Sequence, residues 1–130
     1  VDKSIVSGFI AVIGASIVSM LGGWDMGLQA LVVFVTLDYA TGLTNAFINK
    51  KLNSDIGFRG IAKKVVIFAL VVVAHMLDKL SGQAILRNLV IFFYIGMEGI
   101  SILENCKGIG IPLPKQLVEA LDKMKGDVSK

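Results

Sequence analysis

Two carboxylates set inside apolar sequence constrain this chain more than any other feature. Asp38 lies within residues 28–48, and Glu98 lies within residues 89–103. Both stretches, with their flanks, are long enough to cross a bilayer at 1.5 Å per residue. A carboxylate at membrane depth costs about 2.5–3.5 kcal/mol on insertion scales, so it faces other helices or water rather than lipid. Two such groups in 130 residues point to a helical bundle that assembles or conducts.

The composition agrees. Hydrophobic residues make up 55% of the chain, above the range of soluble domains. The length implies a single membrane domain over residues 1–130, without a separate soluble catalytic module, so the chain is not read as an enzyme. The basic residues are scattered among apolar runs, which argues against nucleic-acid binding. Cys106 is the only cysteine, so no intrachain disulfide can form. There is no nucleophile–base set, phosphate loop or Cys/His cluster, and no cofactor or metal is expected.

The expected fold is all-α: an integral membrane bundle of about four transmembrane helices plus a short C-terminal amphipathic helix. The spans are expected at residues 4–24, 27–49, 62–80 and 84–105, with the tail helix at 113–125. The first run is uncharged over its whole length, longer than a signal-peptide core of about 7–15 residues, and reads as a retained span. The third is the weakest. Its uncharged part, residues 65–77, also fits a re-entrant segment, and it spans only if Lys63 and Lys64 snorkel at one end. Residues 49–60 read as a polar loop. The tail carries Leu117, Val118, Leu121 and Met124 at helical spacing, as on a helix lying on the inner leaflet or on its neighbours.

Charge favours four crossings. With both termini in the cytoplasm, only Lys79 and Arg87 face outside and the other eleven basic residues face inside. Leaving the third segment uncrossed would move five lysines after the fourth span to the outside.

Three side-chain patterns stand out. Ser7, Ala11, Ala15, Ser19 and Gly23 recur every four residues and draw a stripe of small side chains along the first span. Such stripes let backbones approach closely, either between copies or within one chain. In the second span Asp38, Gly42 and Ala46 share a face, and in the fourth Tyr94, Glu98, Ser101 and Asn105 form one polar stripe. These faces either line water or bind across subunits, or else hydrogen-bond privately inside one bundle. Asp38 and Glu98 come to similar depth, where two adjacent acids resist full ionisation. His75 and Asp78 stand three apart on the third span, within reach of a structural hydrogen bond.

The segment Leu37-Asp38-Tyr39-Ala40-Thr41-Gly42-Leu43, followed by Lys50-Lys51-Leu52-Asn53-Ser54-Asp55-Ile56-Gly57, resembles the holins of phage lysis and toxin secretion in Gram-positive bacteria and their phages. So does Glu98-Gly99-Ile100-Ser101-Ile102-Leu103-Glu104-Asn105 with the later Gly110-Ile111-Pro112-Leu113-Pro114-Lys115. The resemblance covers roughly residues 34–121. It implies a protein of the bacterial cytoplasmic membrane that oligomerises with itself and opens lesions or pores. Through them an endolysin or toxin would leave the cell, with an antiholin as a further partner. Asp38, Gly42, Glu98, Ser101, Asn105, Pro112 and Pro114 match the signature positions of that family. A small ion or proton channel, or an antiholin-like membrane interaction protein, is the alternative reading.

Overall fold

The computed structural model describes residues 2–129, and side chains as far as Met124. It is helical throughout, with five helices in chain order: α1 (Lys3–Met20), α2 (Met26–Ile48), α3 (Ser54–Ser81), α4 (Leu86–Ile109) and α5 (Lys115–Ser129). The first four are long and apolar enough to cross a membrane.

Local chemistry sets the helix limits. Asp2, Asp25 and Asn53 cap α1, α2 and α3, their side-chain oxygens accepting from the backbone N–H of Ser4, Leu28 and Ile56 at 3.0, 3.0 and 2.8 Å. Gly82 and Gly110 end α3 and α4 in the left-handed conformation that glycine adopts without a Cβ penalty.

The Asn53 cap corrects the expected loop over residues 49–60. Once Asn53 holds the Ile56 N–H, the helix starts at Ser54, and α3 runs 28 residues, about 42 Å. The third apolar segment is therefore not a short re-entrant piece. It is the upper part of the longest helix, and Lys64 lies well inside that helix rather than at its end.

The core is built on α2 and α4, which pack along their length, with α3 and α5 each laid against α4. Leu28, Leu31, Val35 and Asp38 of α2, spaced three and four apart, are buried. They face Ile91, Ile95 and Glu98 of α4, while α3 contributes Ile67, Val71, Ala74 and Asp78. Lipid supplies no hydrophobic drive between helices, so this contact rests on close packing and hydrogen bonds. Gly99 marks the tightest approach of α5. A Cβ there would come 2.8 Å from Leu121 and 3.1 Å from Phe34. The tail helix therefore folds back along α4 rather than lying apart from the bundle.

α1 behaves differently. None of its residues is buried, and among the described residues it touches only α3 of the other helices. α1 makes no contact with α2 among the described residues, so internal packing of the Ser7, Ala11, Ala15, Ser19, Gly23 stripe against the second span is not found.

Candidate functional site: a buried ion cluster

Three helices bring one charge each to the middle of the bundle. Asp38 of α2 and Glu98 of α4 are buried, 5% and 6% exposed. Lys64 of α3 lies between them. Its ammonium donates to Asp38 Oδ2 and stands 2.6 Å from Glu98 Oε1. The Asp38 carboxylate is the better satisfied of the two. Its Oδ1 also accepts from Asn105 Nδ2 at 3.0 Å, and that amide reaches the Thr41 hydroxyl at 3.0 Å and the Asp38 carbonyl at 3.2 Å. Thr41 in turn donates to the Leu37 carbonyl at 2.7 Å. Glu98 Oε1 has its ion-pair contact with Lys64 but no hydrogen bond of good direction among the described residues.

Two carboxylates and one ammonium leave the cluster one negative charge in excess when all are ionised. In a low-dielectric interior such an imbalance is costly, because each ion has lost its hydration and only paired charges recover it. The ion pair separates the two acids electrostatically, where adjacent unpaired acids would repel.

The polar residues expected from sequence are brought together unevenly. Asp38, Gly42, Ser101 and Asn105 line one cavity of about 370 Å³, together with Tyr39, Lys63 and Lys64. A Cβ at Gly42 would make only ordinary van der Waals contact with Asn105 Nδ2, at 3.5 Å, so the amide does not require a glycine there. Tyr94 does not join them. It packs edge-on to Phe93, ring centroids 5.0 Å apart, in an apolar groove between α3 and α4 lined by Leu70, Val73 and Leu77. Tyr94 and Glu98 share a face of α4 but stand a turn apart, so Tyr94 meets apolar side chains of α3 where Glu98 meets Lys64.

Lys64 is the residue that the sequence reading missed. The signal was its phase: Lys64, Ile67, Val71, Ala74 and Asp78 are spaced 3, 4, 3 and 4, and the last four are buried. A lysine on the buried face of a helix, opposite two acids, is a counter-ion rather than a snorkelling end.

A second polar cluster holds the opposite end of the bundle. The Asp78 carboxylate accepts from the backbone N–H groups of Ile85, Leu86 and Arg87 at 3.3, 2.9 and 2.9 Å, capping α4 from the preceding helix. Its acceptors are used there rather than on His75. Arg87, 7% exposed, donates to the Leu21 and Gly23 carbonyls at 2.5 and 3.1 Å and to both Asp25 oxygens at 2.7 and 3.2 Å. One guanidinium thus ties the end of α1, the cap of α2 and the start of α4. Gly22, with φ +94°, is needed beneath it, since a Cβ would collide with the Arg87 side chain. The Arg87 hydrogen bond holds the Asp25 carboxyl below its ordinary value.

Comparison with known proteins places the chain in a family. Residues 15–126 match the bacteriophage holin family. An uncharacterised 14.9 kDa protein in the nagH 3′ region of Clostridium perfringens is 44% identical over 117 residues, covering 88% of this chain and 89% of that protein. An uncharacterised protein of Halalkalibacterium halodurans is 40% identical over 126 residues, covering 92% and 93%. The uncharacterised protein YtkC of Bacillus subtilis is 30% identical over 118 residues, covering 90% and 88%. No solved structure matches the chain significantly. With its four apolar helices, this multi-pass membrane protein belongs to the bacteriophage holin family.

Proposed function

We propose that the chain acts as a holin. It accumulates in the bacterial cytoplasmic membrane with both termini inside, oligomerises, and opens lesions through which an endolysin or toxin passes. The Asp38–Lys64–Glu98 cluster supports this reading most directly. Intramembrane ionisable groups are expensive and are retained where they assemble helices or meet water. In the single chain they are paired inside the bundle. In the lesion the same polar faces, with Gly42, Ser101 and Asn105, rearrange toward water as copies gather, a population shift driven by protein density. α1, with no buried residue and only a slight contact with α3 in its own chain, supplies the contact between copies through its small-residue stripe.

The test is size-resolved release. Purified protein in liposomes should release large dextrans together with small dyes above a threshold density. Expression in bacteria should stop growth abruptly after a delay and free a coexpressed endolysin. Leakage of ions alone, proportional to protein from the lowest dose, would favour a small ion or proton channel through the 370 Å³ cavity beside the ion cluster.

A further inference from the structure

The position of α5 is at odds with a lipid surround. Taking α1 as a ruler, its 18 residues run about 27 Å from the Gly22 end, close to the thickness of the hydrocarbon core. The same distance along α4 from Leu86 reaches about Glu104. Leu121 packs on Gly99, about five residues short of that limit, so this part of α5 lies about 7 Å inside it. Asp122 follows Leu121, whose contact at Gly99 is one residue from Glu98 on α4.

The buried side of α5 is apolar, with Leu121 8% exposed and Met124 packed on the core of the bundle. The other side carries Lys115, Glu119, Asp122 and Lys123, all exposed. Among the described residues its one ion pair, Lys115 with Glu119, is 3.9 Å long and open to the surroundings. Asp122 and Lys123 have no ion-pair partner in their own chain among the described residues. Lipid cannot solvate them, so water must.

We infer that the outward face of docked α5 borders water at bilayer depth, and that in the assembled protein this face lines an aqueous lumen enclosed by further copies of the chain. The lumen rests on the holin reading above, whereas the water contact follows from depth and charge. The apolar faces of α1 and α3, with Phe9, Ile13 and Val73 exposed, then face lipid or neighbouring copies. The polarity of the molecule thereby becomes radial, with charge on the α5 side and hydrocarbon on the rest. An interfacial tail helix would need none of this, because it would release Leu121 from Gly99.

Paired nitroxide labels decide the matter. Leu37, 47% exposed on α2 and next in sequence to Asp38, is the comparison position for Asp122. In a Cys106→Ser chain in liposomes, labels are placed through Leu37→Cys or Asp122→Cys. Their collisions with oxygen, which partitions into lipid, and with a water-soluble nickel chelate are then compared. The expected result is oxygen contact at position 37 and nickel contact at position 122. Both labels in water would put these positions outside the bilayer, and both in lipid would leave the charged face unsolvated. Either outcome overturns the inference. A short thiol crosslinker between Phe34→Cys and Leu121→Cys should also form in the membrane and, once formed, leave dextran release intact. No crosslink, or release abolished by it, would mean that α5 undocks, which likewise overturns the inference. Absence of dextran release from the uncrosslinked protein would sink the lesion reading instead, and the 37/122 comparison would still report on the water contact.

Discussion

Lys64 and Asp38 form an ion pair inside the bundle although 26 positions separate them, and the same ammonium reaches Glu98 on a third helix. One cation thus holds α2, α3 and α4 at a common level. Removing each member should have unequal effects. Asp38→Asn or Glu98→Gln leaves one acid with one ammonium, a balanced pair. Lys64→Met leaves two buried acids without a counter-ion.

The first prediction follows from that asymmetry. Lys64→Met should cost about 3–5 kcal/mol, the usual penalty for stranding a buried charge. Glu98→Gln should be the mildest single change, since Glu98 Oε1 has the poorer hydrogen bonding. Asp38→Asn should be intermediate, because it disturbs Asn105 as well. Adding Asp38→Asn and Glu98→Gln to Lys64→Met should recover much of the lost stability. Unfolding of the detergent-solubilised protein measures all four. Equal losses in all the single variants would mean that the cluster does not act as one charge-balanced unit.

The second concerns acid at the Gly22 end. Asp25 has its carboxyl lowered chiefly by the Arg87 hydrogen bond. A group with a lowered folded-state value contributes stability that is present above its unfolded value, about 3.9, and lost as pH falls through the folded one. Melting temperature should therefore drop below about pH 4 as the clamp loses its charge. Asp25→Asn should start lower at neutral pH and show a shallower fall on acidification. A fall of the same steepness in both proteins would place the acid sensitivity elsewhere.

Much of the architecture was legible in the sequence because hydropathy fixes where helices cross and caps fix where they stop. Gly82 and Gly110 end helices through chemistry local to a few residues, although the fourth span was expected to stop at residue 105. The start of α3 was equally local, through the Asn53 cap and the Asp55–Arg59 pair four residues apart at 3.2 Å, yet its polar, glycine-containing composition read as a loop. Lys64 shows the same gap. Its role depends on which face of α3 meets α2 and α4, a tertiary fact that only the spacing to Ile67 and Val71 hints at. Asp78 was read toward His75 on its own helix, whereas its acceptors serve the start of the next one. The docking of Leu121 on Gly99 depends on α5 turning back after Pro112 and Pro114, which local pattern does not specify.

The third prediction tests the exposed first helix. If its stripe joins copies, Ala15→Leu should fill the close contact and weaken crosslinking between chains, because small residues at such interfaces let backbones approach. Val12→Leu lies off the stripe, at a position 67% exposed, and is nearly conservative in size, so it should leave association unchanged. Chemical crosslinking in membranes, with lysis timing alongside, compares the two. The same crosslinking and the same lysis in both variants would remove the stripe from the assembly.

The last prediction fixes which way the bundle faces. Four crossings put residues 49–53 and the turn before α5 on one side and the Gly82 turn on the other, and the positive-inside rule assigns the lysine-rich side to the cytoplasm. In a Cys106→Ser chain, Asn53→Cys and Gln116→Cys should react with an impermeant thiol reagent only when it is admitted to the cytoplasmic side. Ser81→Cys, beside the left-handed Gly82 that ends α3, should react only from outside. The measurement must be made before lesions open, since afterwards the reagent reaches both compartments. Labelling of Gln116→Cys from outside, with Asn53→Cys still inside, would mean that one of the two intervening helices does not cross. The depth assigned to α5 would then have to be redrawn along with it.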